Sequence, residues 1–108
     1  MNNSLLNYTV LVEFRIKPEG LAKFESLAAE AAQVSVANEP GCQRYDILHD
    51  RNDPCRVLLY EIYADEEAFN AHLDASHTKS FLAAIKDLVE SQKKGQRLVR
   101  IGANGKDV

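Results

Sequence analysis

No stretch of this chain approaches the roughly 18 consecutive apolar residues that a membrane-spanning helix needs. Its first ten residues, MNNSLLNYTV, have neither the basic segment nor the long apolar run of a secretory signal. The expected setting is therefore cytoplasmic. Basic residues are not in excess either. Thirteen Lys and Arg stand against sixteen Asp and Glu, a net charge of −3, which leaves no electrostatic footprint for nucleic acid or an anionic membrane. There is no H-E-x-x-H and no C-x-x-C pattern. His72 and His77 are five positions apart with a break expected between them, so no metal site is expected. G-x-G-x-x-G and P-loop motifs are also missing, and the five glycines fall at element ends or in the tail. No cofactor is expected.

What is present suits one soluble domain. Hydrophobic residues make up 45% and charged residues 27% of the 108 positions, enough to bury a core without staples. The domain is expected to span 1–108, with 1–7 a loose leader and 103–108 frayed. Cys42 is expected to start a strand and Cys55 to lie just past a hairpin turn, an awkward register for a disulfide, so both read as free thiols.

Tyr8 to Lys17 alternates, with Tyr8, Val10, Val12, Phe14 and Ile16 on one face, and predicts a strand. Pro18 and Gly20 end it. Leu21, Phe24, Leu27, Ala28, Ala31 and Val34 recur at three- and four-residue spacing and predict a helix to about Ala37. Glu39-Pro40-Gly41 stops that helix. Cys42 to His49 and Arg56 to Ala64 predict an antiparallel hairpin around the turn residues 50–54. Asp65 is placed to cap a short helix ending near Leu73. A longer helix is expected from Ser76 to about Gln92, with Gly95 after its end, and a last strand from Gln96 to Ile101.

Strand, helix, strand, strand, split helix, strand is the βαββαβ order of a ferredoxin-like α+β sandwich. Right-handed crossovers put both helices on one side of the sheet. The other sheet face is left bare, and its apolar residues lead us to expect a homodimer covering it.

Groups able to move protons concentrate between Leu58 and His77: Glu61, Tyr60, Tyr63, His72 and His77. Histidine suits acid–base work near neutral pH. The structural alternatives are a packed or capping histidine, core or interface tyrosines at Tyr45, Tyr60 and Tyr63, and a Glu61 paired with Arg15, Arg44 or Arg100. Lys93, Lys94, Arg97 and Arg100 form the one basic run. A helix C-terminus explains it more simply than a phosphate site. With a hairpin centred on Asn52, Tyr45, Ile47 and His49 share a face with Val57, Leu59, Glu61 and Tyr63; one bulge would reverse this.

The run from Glu39-Pro40-Gly41-Cys42 through Tyr45, then Tyr60-Glu61-Ile62-Tyr63, Ala68 and His72, and Ser76-His77, resembles the antibiotic biosynthesis monooxygenase superfamily over nearly the whole chain. The resemblance implies a dimeric α+β barrel with a cavity between sheet and helices in each subunit. It implies a cofactor-independent monooxygenase of a quinol-like or enolisable small molecule. The alternatives are an isomerase of a phosphorylated autoinducer-2-type ketone, drawing on Lys79 or Arg44 for the phosphate, and a non-catalytic ligand-binding dimer. The haem-degrading branch uses a pocket tryptophan, and this chain has none. In that frame His72, His77 and Glu61 are the expected catalytic residues, and Tyr45, Tyr60, Tyr63 and Phe81 the expected substrate contacts.

Overall fold

The structure is a computed structural model that describes residues 7–106. The expected leader lies outside them except for Asn7, and so do tail residues 107 and 108. Asn7 is buried and donates from its side-chain amide to Gln43 Oε1 at 2.8 Å, so it belongs to the folded unit. Among the described residues the elements are β1 (Tyr8–Ile16), a 3₁₀ turn at Pro18–Gly20, α1 (Leu21–Asn38), β2 (Cys42–Asp50), β3 (Asp53–Tyr63), α2 (Glu66–Asp74), α3 (Ser76–Ile85), β4 (Val89–Gln92) and β5 (Gln96–Val99).

The strand order β2-β3-β1-β4, antiparallel throughout, is that of the ferredoxin-like α+β fold expected from the pattern. β5 also pairs with β1. Since β3 occupies one edge of β1 along residues 8–15, β4 and β5 share the other. β4 meets residues 14–16 and β5 meets residues 8–11, as one strand broken at Lys93–Gly95.

That break corrects the expected helix from Ser76 to Gln92. α3 ends at Ile85, where Lys86 and Leu88 amides donate to Ala83 and Ile85 carbonyls in tight turns. Leu88 O then accepts from Lys17 N at 2.9 Å, and Val89 pairs with Ile16. The open edge of β1 offers backbone partners that a longer helix would leave unmet. Leu88 and Val89 still pack against the core, which is why their apolar spacing read as helical. Gly95 is consequently a between-strand residue, not a helix cap.

The hairpin keeps the expected face relation but not its register. Tyr45 pairs with Glu61, Ile47 with Leu59 and His49 with Val57, two residues away from the Asn52-centred pairing. An irregularity between His49 and Asp50 takes up the difference. Glu61 and Tyr45 therefore look toward the helices. Leu11, Leu48, Leu58, Tyr60, Ile62 and Leu98, of opposite parity, look the other way.

The core between sheet and helices divides in two. One cluster centres on Phe14, Phe24, Val57, Phe81 and Ile85; the other on Val10, Cys42, Tyr63 and Phe69. Val12 and Tyr45 touch both. Both cysteines are free thiols, as expected.

Candidate active site

At the seam of the two clusters lies a cavity of about 170 Å³, lined by apolar residues of both together with Tyr45, Glu61, His72, Thr78 and Gln92. Its polar groups come from five elements, β2, β3, α2, α3 and β4.

His72 sits on the buried side of α2, three residues after Phe69, as helical spacing requires. Asp65 caps that helix, its carboxylate accepting from Ala68 N at 2.8 Å. At Ala75 the backbone turns extended (ψ 141°) and α3 starts afresh. The Ala75 carbonyl accepts from the Thr78 and Lys79 amides, which brings His77 and Thr78 back toward His72. The break expected to separate the two histidines is thus what brings them together, their ring centroids 6.2 Å apart.

The group that joins them is Glu39, expected from its sequence only as part of a helix stop and of the Glu-Pro-Gly-Cys motif. Pro40 disfavours helical geometry in the residue before it, and Glu39 is extended (φ −102°, ψ 112°) at the end of α1. The Ala64 amide donates to the Gly41 carbonyl at 2.8 Å, holding this corner against the start of α2. From there Glu39 Oε2 accepts from His72 Nδ1 at 2.8 Å and from His77 Nε2 at 2.5 Å. Thr78 Oγ1 is 3.2 Å from the same His72 nitrogen. The carboxylate partner assigns the His72 proton to Nδ1, so Nε2, across the ring, carries the lone pair.

His72 Nε2 stands 3.9 Å from Glu61 Oε1. Tyr63 donates its hydroxyl proton to that same oxygen at 2.6 Å. Glu61 is 4% exposed and His72 6%. Burial pushes the Glu61 carboxyl up to about 7; the Tyr63 hydrogen bond opposes this and the Glu39 charge adds to it. Burial likewise raises the Tyr45 and Tyr63 phenols, which stay protonated donors.

The expected residues therefore divide. Glu61, His72, Tyr45 and Phe81 line the cavity. Tyr63 lies behind it, fully buried, as the hydrogen-bond donor to Glu61. His77 does not line it; it borders a separate cavity between α1 and α3 and reaches the site only through Glu39. Tyr60 does not line it either: strand alternation puts it on the opposite sheet face, beside Arg44 and Arg100. The suggested arginine partners of Glu61 are not found. Arg15 pairs with Asp53 and Arg44 with Asp46. The donor atoms of Glu39, His72 and His77 lie within 4.8 Å of one another, close enough for a metal ion to bridge. Five-residue spacing alone did not foresee this cluster, because its third member comes from another element.

Residues 7–91 match the sequence profile of the family described as antibiotic biosynthesis monooxygenase (ABM). The chain belongs to the ABM family. An isomerase of (4S)-4-hydroxy-5-phosphonooxypentane-2,3-dione from Klebsiella pneumoniae is 38% identical to this ABM domain over 80 residues, covering 74% of the chain and 78% of the relative. The Photorhabdus laumondii protein of the same name is 29% identical over 94 residues, covering 87% and 94%. A structure from Nitrosomonas europaea, assigned to the antibiotic biosynthesis monooxygenases, superposes with a TM-score of 0.83 at 26% identity, covering 88% of this chain and 99% of that one. A Caulobacter crescentus structure reaches 0.85 at 22% identity, covering 92% and 93%, and supports the fold alone. No helix among the described residues is long and apolar enough to cross a membrane.

Proposed function

We propose that this ABM domain is a proton-transfer isomerase of a small phosphorylated hydroxyketone, with Glu61 and His72 as its catalytic pair. The observation that carries it is the 3.9 Å separation of Glu61 Oε1 and His72 Nε2 at the wall of a mainly apolar cavity. That separation is too long for a direct hydrogen bond, and it leaves both groups free to bond a substrate lying against them. The cavity, at about 170 Å³, falls below the roughly 300–1,000 Å³ of pockets that take drug-sized ligands. Its inner end takes a short acyclic chain, and a longer group would extend into the hollow that opens beyond Val10 and Phe69.

The chemistry follows from the substrate class of the relatives. In a 4-hydroxy-2,3-dione, the hydrogen on the hydroxyl-bearing carbon is acidified by the neighbouring carbonyl. Glu61, with its carboxyl near 7, takes that proton as a carboxylate, and the electron pair left behind forms an enediolate. His72 Nε2 accepts the hydroxyl proton and passes it to the adjacent carbonyl oxygen. Glu61 then returns its proton to the neighbouring carbon. The carbonyl has moved by one position, and nothing has been gained or lost. Tyr63 holds the carboxylate, and Glu39 with Thr78 holds the imidazole, so neither reorients during transfer.

The test is proton NMR of the phosphorylated dione in D₂O. Isomerisation with deuterium appearing at the reacting carbon supports the assignment; an unchanged substrate removes it. A second reading is the cofactor-independent monooxygenase, favoured by the family description and the Nitrosomonas europaea structure. The same base would deprotonate a quinol for reaction with oxygen. Saturable oxygen uptake with hydroquinones, and no isomerisation, would select it.

We also infer a homodimer closed over the outer sheet face. Leu48 and Leu98, 49% and 43% exposed there, adjoin the half-buried Leu11, Leu58 and Tyr60 in a patch that water would not favour.

A further inference from the structure

One row of residues crosses the helix-covered face of the sheet at the site. Arg97 on β5 pairs with Val10 on β1, Val10 with Glu61 on β3, and Glu61 with Tyr45 on β2. Strands are spaced about 4.8 Å apart, so the backbones of Arg97 and Glu61 stand roughly 10 Å from each other. Between them the Arg97 guanidinium lies over the Phe69 ring, 5.2 Å from its centre, and Phe69 stacks on His72 at 6.3 Å.

The cavity continues outward along this row. Val10, Val12, Phe69 and Gln92 line both the inner cavity and a second hollow of about 470 Å³, which Lys94, Gly95 and Arg97 complete. Lys94 and Arg97 have no carboxylate within 4.0 Å among the described residues. Arg15, Arg44, Arg56 and Lys93 are all ion-paired. The explanation of the basic run as helix C-terminal charges fails here, since the segment is the break between β4 and β5.

We propose that Arg97, assisted by Lys94, is the anion end of the site and takes a terminal phosphate monoester, with the reactive carbons at Glu61 and His72. A guanidinium placed over an aromatic ring has part of its position set by that contact and keeps N–H donors for two-point bonding to phosphate oxygens. The inner end cannot serve, because it is apolar and already holds the Glu61 carboxyl. Substrate is therefore taken in one direction, with the phosphate at the mouth.

The proposal rests on the isomerase assignment for its substrate, so its test has two arms. Steady-state kinetics of wild type, Arg97→Gln and Arg97→Lys are compared on the phosphorylated dione and its dephosphorylated counterpart. Separately, titration calorimetry measures binding of inorganic phosphate to wild type and Arg97→Gln. The expected result is a preference (the ratio of kcat/KM values) for the phosphorylated substrate that falls roughly 10- to 100-fold in Arg97→Gln. Arg97→Lys should recover part of it, and phosphate binding should weaken in Arg97→Gln. Isomerisation with an unchanged preference overturns the subsite and leaves the isomerase assignment standing. Phosphate binding that depends on Arg97, without isomerisation, does the reverse. Loss of equal size on both substrates reduces Arg97 to a packing residue on Phe69, and a wild type that neither isomerises nor binds phosphate overturns both.

Discussion

Glu39 and His72 are 33 residues apart in sequence and 2.8 Å apart in space, carboxylate oxygen to Nδ1. The contact fixes which face of the imidazole meets Glu61. In the proposed isomerase Glu39 acts through the histidine, as a positioning residue. Glu39→Ala should lower kcat on the order of 10²-fold, the scale of a misaligned catalytic group, with KM changed much less. His72→Ala should cost as much or more, and the double variant little beyond the larger single effect. Additive losses in a double-mutant cycle would show that the two residues act independently.

Glu61 gives two opposite pH trends. As a base it must be ionised, so kcat/KM should rise with pH and level off above about 7. Stability should run the other way. The folded carboxyl binds its proton more tightly than the ordinary one at 4.5, so its contribution is full below that value and lost as pH rises through about 7. The loss amounts to about 3 kcal/mol. Glu61→Gln should flatten this part of the stability curve, measured by urea unfolding between pH 5 and 8, and should lower turnover by about 10²–10⁴-fold. A pH-independent wild-type stability in that window would contradict the burial of an ionisable Glu61.

Much of the architecture was legible because period and punctuation agreed. The alternation from Tyr8, the three- and four-residue spacing from Leu21 and the Asp65 cap each point to the element observed. The helix expected through Gln92 went wrong because Leu88 and Val89 satisfy a helical stripe and a strand end equally. Only the open edge of β1 decides between them, and pairing partners distant in sequence carry no local signal. The site was half legible. Glu61 and His72 stood out by chemistry, but Glu39 is brought to them by a tertiary contact. Its one visible trace was a carboxylate within the Glu-Pro-Gly-Cys motif. Tyr60 and Glu61 are neighbours in sequence, and only the register of the hairpin tells which of them faces the cavity.

Gly41 allows the corner that carries Glu39 to approach α2. A Cβ at this position would lie 2.4 Å from the Ala68 Cβ. Gly41→Ala should therefore destabilise by about 1–3 kcal/mol, a fall in Tm on the order of 5–15 °C. Adding Ala68→Gly should restore part of it by removing the clash, less the helix penalty of glycine. Thermal unfolding followed by circular dichroism decides, and an unaffected Tm would mean that the corner has room to shift.

The homodimer predicts a solution mass near twice the 12.1 kDa of one chain. Leu48 is about half exposed in the single chain, so Leu48→Glu with Leu98→Glu should leave the fold intact and give a monomer. Light scattering at micromolar concentration reads the mass directly. A wild-type monomer would require another explanation for the apolar outer face.

The two register breaks of β2, between Cys42 and Arg44 and between His49 and Asp50, have a consequence outside the site. β2 is the outermost strand on its side of the sheet, and a flat strand with free amides and carbonyls is a template for another chain to extend. Irregularities at both ends twist such a strand away from straight pairing, and Arg44, Asp46 and Asp50 place charge along it. The same bulged strand that lets Tyr45 and Glu61 face the cavity together is thus poorly suited to seed cross-strand aggregation. A substitution that straightened it would endanger solubility as well as the placement of the site.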